Sequence, residues 1–174
     1  YYENFICDPT NVDPTFFNVW EKYKATLVPE VDLTLIQPIL NLILEIWCKN
    51  DNTQFEYFMT WLHYLIAKPG VKTQKCIFGY SNKQGTGKST LWEFLGSWVL
   101  GFGHILHTSG IEQIVQKHNS HLVGKMLVVI NEASCTKDMF KAWWDKLKNL
   151  ITDERIEPKE AFQIDNCLNY VILS

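Results

Sequence analysis

Residues 75–90 read KCIFGYSNKQGTGKST and join a short apolar run to a glycine-containing loop and the start of a helix. Successive backbone N–H groups in such a loop, together with the positive end of the helix dipole, can bind a polyphosphate. Lys88 is spaced to reach the β- and γ-phosphates, and Ser89 offers its hydroxyl to Mg²⁺. The segment therefore predicts a strand–loop–helix unit that binds a nucleoside triphosphate.

The loop departs at one position from the pattern G-x-x-x-x-G-K-[ST], because Asn82 stands at the first glycine. Asn is the non-glycine residue that best tolerates a left-handed backbone, so we still expect the loop to turn. A turn that only joins a strand to a helix is the alternative. The predicted phosphate-binding residues are Asn82, Lys83, Gln84, Gly85, Thr86, Gly87, Lys88, Ser89 and Thr90.

A second motif lies downstream, where residues 126–130 read MLVVI and are followed by Asn131 and Glu132. A continuous apolar run of this length is typical of a strand covered on both faces. An acid at the end of such a strand can hold Mg²⁺ or polarise water. We predict that Glu132 activates the attacking water and contributes to Mg²⁺ binding, with Asn131 in support. A core strand followed by an exposed Glu is the alternative.

The spacing of apolar residues predicts the remaining elements. Strands that alternate with helices favour an α/β fold with a mostly parallel sheet flanked by helices. We expect a helical lead-in over residues 1–54, with its helix at 33–49 mostly buried, and an α/β core over 55–174. The expected helices cover 16–24, 33–49, 55–66, 88–99, 111–118 and 139–151, the last with Thr136 as its N-cap. Further strands are expected at 75–80, 104–108 and 168–173. A hairpin is expected at 155–165.

Composition excludes several classes of protein. The 174 residues are 47% apolar and 20% charged, which argues against dominant disorder. The net charge of −3 argues against a protein that coats nucleic acid through a general basic field. Five widely spread cysteines without a C-x-x-C pair indicate a reducing, intracellular compartment.

Other functions stay open on the residues alone. A P-loop kinase acting on a small molecule or nucleotide shares the loop, although such kinases usually surround phosphates with several arginines and this chain has one. His-x-x-His pairs at 104–107 and 118–121 have a spacing found in zinc sites. A strand through the first pair would, however, point its histidines to opposite faces. A catalytically weak P-loop remnant or adaptor is favoured by Asn82 and Asn131.

The order and spacing of the motifs resemble those of superfamily 3 helicases, above all the poxvirus-type primase-helicases of large DNA viruses, phages and mobile elements. The similarity covers residues 55–174. Its markers are WL at 61–62, KPG at 68–70, GTGKST at 85–90, LVGK at 122–125, LVVINEA at 127–133, IEPK at 156–159 and NYVILS at 169–174.

The resemblance implies an AAA+-like P-loop ATPase that forms a ring, usually a hexamer, and uses ATP and Mg²⁺ to move along single-stranded DNA. In this family a β-hairpin projects into the ring channel. Here it corresponds to residues 155–165, with Lys159 as the residue that touches DNA and Arg155 as a weaker candidate. Such a protein would act in replication, in the host cytoplasm or at a viral replication site.

The family's third motif and its arginine finger would lie beyond Ser174. We therefore expect a piece of a longer polypeptide that binds nucleotide and hydrolyses it slowly. Whether a primase domain precedes Tyr1 stays open.

Overall fold

The computed structural model describes residues 4–11, 13–81, 83, 85–115, 120–131, 137–159 and 162–174. Its strands are β1 (Asn4–Ile6), β2 (Phe16–Asn18), β3 (Cys76–Gly79), β4 (Ile105–Thr108), β5 (Leu127–Ile130), β6 (Arg155–Lys159), β7 (Phe162–Asp165) and β8 (Asn169–Leu173). Its α-helices are α1 (Leu33–Leu42), α2 (Asn52–Ala67), α3 (Thr90–Phe94) and α4 (Lys137–Thr152). Helices α1 and α3 continue into π-helical turns at Ile43–Trp47 and Leu95–Leu100, and 3-10 turns cover Ile111–Gln113 and Ser120–Leu122.

A four-stranded parallel sheet lies at the centre of the fold. Its strand order is β3-β8-β5-β4, and each neighbouring pair is parallel. This confirms the predicted α/β class with helices flanking a parallel sheet. Because the strands are parallel, the carboxyl ends of β3, β8 and β5 meet at one edge of the sheet. The loop after β3 and the residue after β5 are thereby brought to the same side of the molecule.

Side chains of β5 alternate between two hydrophobic cores. Leu127 and Val129 pack in the core that contains residues of α2 and α3. Val128 and Ile130 pack in the core on the opposite face, together with Leu147 of α4. All four β5 residues are buried, which confirms the predicted strand covered on both faces.

The predicted hairpin forms a second sheet with the N-terminal segment. Strands β6 and β7 are antiparallel, which confirms the hairpin, and the order of this sheet is β2-β1-β7-β6. The expected helix over residues 16–24 is wrong, because Phe16–Asn18 is β2 and pairs with β1. Pairing with β1 outweighs the local apolar spacing here.

Helix α1 begins at an N-cap, Asp32, whose side chain accepts a hydrogen bond from Thr34 N–H. The expectation that the helix at 33–49 is mostly buried is wrong, because no residue of α1 is buried and Ile43 is the one buried residue of the π-helical turn that continues it. Only one edge of α1 packs on the core, through Ile39 and Leu42. The 3-10 turn Ile111–Gln113 stands where a longer helix was expected. None of the described helices combines the length and apolar character needed to cross a bilayer.

Candidate functional site

The glycine loop, residues 80–89, joins β3 to α3 through two glycines in left-handed conformations. Gly85 has φ +71° and Gly87 has φ +83°, values that L side chains rarely adopt. A Cβ added at Gly87 would also lie 3.3 Å from the side chain of Leu42. The G-x-G spacing of the sequence is therefore what this turn requires.

The side chain of Lys88 lies across the carboxyl ends of two neighbouring strands. Its Nζ donates a hydrogen bond of 2.6 Å to the carbonyl oxygen of Ser174, which follows β8, and approaches the Ser81 carbonyl at 3.5 Å. Ser81 N–H also donates to the Ser174 carbonyl at 3.2 Å. Ligands of open parallel sheets bind outside this edge, so the ammonium group is placed where a ligand is expected.

A cavity of about 470 Å³ opens beside this ammonium group. We call it the Asn131 cavity; its lining residues include Gly85, Gly87, Lys88, Ser89, Glu93, Asn131 and Ser174. Asn131 is held at the end of β5 because its backbone N–H donates to the Thr108 carbonyl at 2.7 Å. Lys88 belongs to the first sequence motif and Asn131 to the second, and both line this cavity. The fold thus brings together two motifs that are more than 40 positions apart in the sequence.

The loop leaves hydrogen-bond donors for a ligand. No carbonyl of the described residues accepts a hydrogen bond from the backbone N–H groups of residues 85–89. Ser89 is the N-cap residue of α3, yet its hydroxyl makes no capping bond. The residues that carry these amide groups, the Lys88 ammonium group and the Ser89 hydroxyl all line the Asn131 cavity.

The structure places the other predicted residues as follows. Lys83 is exposed, and its N–H donates to the Ser81 hydroxyl at 3.2 Å. Thr86 is half-buried, and Thr90 is the exposed first residue of α3. Asn82, Gln84, Glu132 and the expected N-cap Thr136 lie outside the described residues.

The two predicted DNA-contacting residues lie on β6, in the second sheet. Arg155 is exposed and pairs in register with Asp165. Lys159 is the last residue of β6 and pairs in register with Phe162, the first residue of β7. The hairpin and the Asn131 cavity are thus carried by different sheets.

Two residues of the site, Ser174 and Glu93, are not among those predicted from the sequence. The carbonyl of Ser174 has no signal in the sequence, because a backbone oxygen enters the site only through the pairing of β8 beside β3. Glu93 lines the Asn131 cavity, and helical periodicity from Ser89 could have indicated it: Glu93 N–H donates to the Ser89 carbonyl at 2.9 Å.

The histidines of the first His-x-x-His pair have separate surroundings. His104 is buried, its Nε2 lies 2.7 Å from the Glu21 carbonyl, and its ring lies 4.5 Å from that of Trp20. Burial lowers the pKa of His107, against an opposing attraction from the Glu93 carboxylate. The described residues contain no group of three His, Cys, Asp or Glu side chains that could hold a metal ion.

A sequence family covers most of the region that contains this site. The model of DUF5906, a family of unknown function, matches residues 80–174, which is more than half of the chain. The chain belongs to the DUF5906 family. The matched region of this DUF5906 protein begins at the glycine loop and ends at the Ser174 carbonyl that holds Lys88.

Solved structures share the fold of this DUF5906 protein. The A-form apo structure of the C-terminal region of NrS-1 matches with a TM-score of 0.76 and 22% identity, over 98% of this chain and 42% of that chain. An apo structure of the same NrS-1 region gives the same values, and another A-form structure has a TM-score of 0.72. The DUF5906 chain therefore spans about two fifths of the length of the solved chains. No curated protein matches it.

Proposed function

We propose that this DUF5906 chain is the nucleotide-binding core of an ATP-driven, superfamily 3-like DNA helicase with a P-loop NTPase fold. In this proposal ATP binds with Mg²⁺ at the glycine loop. The full-length protein forms a ring, in the family's usual form a hexamer, and moves along single-stranded DNA during replication of a virus, phage or mobile element.

The observation that carries the proposal is the position of Lys88 between the glycine loop and Asn131. Its ammonium group lies 2.6 Å from the Ser174 carbonyl and borders the Asn131 cavity. A cation already fixed at the carboxyl edge of a parallel sheet is arranged to neutralise a terminal phosphate without reorganising. The Ser89 hydroxyl would be a ligand of Mg²⁺, and the metal ion would supply positive charge against the phosphates.

The proposal assigns the remaining roles from chemistry. Glu132 follows Asn131 directly and acts as the base that orients the attacking water. The Asn131 amide has no charge and is a weaker metal ligand than a carboxylate. It therefore acts by a hydrogen bond to a water molecule. Lys159, the last residue of β6, contacts the DNA backbone as a point charge, with Arg155 as a second contact.

Calorimetric titration with ATP and Mg²⁺, followed by a phosphate-release assay with and without single-stranded DNA, tests this function. We expect ATP to bind and DNA to raise the slow hydrolysis. Lys88→Ala is expected to weaken ATP binding at least tenfold and to abolish hydrolysis. Absence of ATP binding by the wild-type chain would overturn the proposal. Phosphate transfer to a nucleoside in place of water would instead identify a P-loop kinase.

A nucleotide-binding protein with little catalysis is the second candidate, and Asn131 favours it. The Asn131 cavity places a neutral amide at the end of β5, where relatives of this kind of ATPase often carry an acid that holds the metal. This candidate predicts ATP binding without hydrolysis in the presence of DNA. Substitution Glu132→Gln would then leave the already low rate unchanged, whereas it would lower the rate of an active ATPase.

A further inference from the structure

A second cavity meets the Asn131 cavity at Lys88. This Trp47 cavity has a volume of about 510 Å³ and is lined by Glu45, Ile46, Trp47, Lys49, Gln54, Phe78, Gly79, Tyr80, Ser81, Thr86 and Lys88. Thr86 and Lys88 border both cavities. A molecule whose phosphates contact Lys88 can therefore extend from one cavity into the other.

Aromatic side chains form much of the wall of the Trp47 cavity. Phe78 and Tyr80 are 62% and 64% exposed, although both lie at or next to the edge strand of the described sheet. The Trp47 ring is held by Trp92, at a ring distance of 5.2 Å, and by close approach to Gly79. Exposed aromatic faces beside a fixed indole suit the stacking of a planar base.

Polar groups of the same cavity lack partners or face solvent. The Trp47 Nε1 and the Thr86 hydroxyl are shielded from water, and neither has a hydrogen-bond partner among the described residues. A buried polar group without a partner costs free energy, so a ligand that supplies an acceptor next to either group is favoured. Glu45 and Gln54 are exposed and add a carboxylate and an amide to the cavity wall.

We propose that the Trp47 cavity binds the ribose and base of a purine nucleotide whose phosphates lie on the glycine loop. The inference rests on the proposed function, because it takes a triphosphate at Lys88 as its starting point. The Asn131 cavity would take the terminal phosphate, and the Trp47 cavity, which shares Thr86 and Lys88 with it, would take the sugar and base. The base stacks on Tyr80, and Trp47 and Gln54 provide hydrogen bonds.

Titration of the full chain with Mg²⁺-ATP and, separately, with inorganic tripolyphosphate separates the two parts of the ligand. We expect ATP to bind at least tenfold more tightly than tripolyphosphate. Tyr80→Ala removes an exposed ring and is expected to weaken ATP binding at least fivefold. The stacking of a base on an aromatic ring contributes enough free energy for a loss of this size or larger. Trp47→Phe keeps an aromatic ring in the core and is expected to weaken ATP about fivefold, the effect of one neutral hydrogen bond.

Neither variant changes the affinity for tripolyphosphate if the base cavity is as proposed. Tyr64→Ala removes a partly exposed tyrosine outside both cavities and serves as the matched control. Equal affinities of ATP and tripolyphosphate, or unchanged ATP affinity in both cavity variants, would overturn the base site and leave the phosphate site standing. Failure of the wild-type chain to bind either ligand would overturn the proposed function and, with it, this inference.

Discussion

Replacement of Lys88 by Ala separates a ligand-binding role of this lysine from a structural one. Its Nζ joins the ends of β8 and β3 through the carbonyls of Ser174 and Ser81, at 2.6 and 3.5 Å. The side chain is half-buried, so the loss of these contacts is expected to cost about 1 kcal/mol of unfolding free energy. For a chain of this length that corresponds to a decrease in Tm of about 2–4 °C.

The expected effect on nucleotide affinity is larger. A charge-assisted hydrogen bond to phosphate contributes about 1.5–3 kcal/mol, which converts to a loss of roughly 10- to 150-fold in Kd. Lys88→Ala should therefore melt close to wild type and bind Mg²⁺-ATP at least tenfold more weakly. Calorimetric titration and a thermal melt of the same sample measure the two quantities.

Lys75→Ala is the matched control for this experiment, because Lys75 is exposed, carries the same charge and lies at the opposite end of β3. Its ATP affinity should stay within twofold of wild type. A Lys88→Ala chain that binds ATP as tightly as the Lys75→Ala chain would refute the assignment of Lys88 to the phosphates. The lysine would then serve only to join the two strand ends.

Three other predictions use separate parts of the molecule. Asn131→Asp should raise the apparent affinity for Mg²⁺ in the presence of ATP several-fold, because a carboxylate replaces a neutral amide; an unchanged Mg²⁺ titration would contradict this. Lys159→Ala should weaken the binding of single-stranded DNA and reduce the slope of log affinity against log salt concentration by about 0.7. Fluorescence anisotropy measures this slope, and Lys75→Ala is the control. An unchanged slope would show that Lys159 does not contact the DNA backbone. Burial lowers the pKa of Lys72 to about 8 from 10.5. Between these pH values the unfolded chain therefore binds more protons than the folded chain. The contribution of Lys72 to the free energy of unfolding accordingly rises with pH in this range. Urea melts of wild type and Lys72→Met measure this effect. The free energy of unfolding of wild type relative to Lys72→Met should increase by about 1 kcal/mol from pH 8 to 10.5, after allowance for solvent screening. A difference that does not change with pH would contradict the prediction.

Local patterns in the sequence were sufficient for most elements of the central fold. The apolar run at 126–130, the G-x-G turn and the spacing of the α2 residues each depend on neighbours within a few positions. The structure has β5, the glycine loop and α2 where these patterns predict them. A hydrophobic run of four or five residues bounded by polar residues, or a stripe at helical spacing, is a signal that the chain carries without its partners.

Long-range pairing decided the parts that the sequence analysis predicted wrongly. Residues 16–18 form β2 because they pair with β1. Strand β1 in turn pairs with β7, where Phe5 and Ile164 are 159 positions apart along the chain. Helix α1 is apolar yet exposed, because only Ile39 and Leu42 reach the core. Periodicity reports which residues share a face, and it does not report whether another element covers that face.

In the candidate site, too, some features follow from the sequence and others only from the tertiary structure. The sequence alone determined the residue types: a lysine and a serine after two obligatory glycines, and a polar pair after a buried strand. Only the tertiary structure decided that β8 lies between β3 and β5. This strand order places the Ser174 carbonyl where it holds Lys88 beside Asn131, and the same lysine also borders the aromatic Trp47 cavity. Strand order depends on the packing of both sheet faces at once, and no local stretch of sequence contains that information.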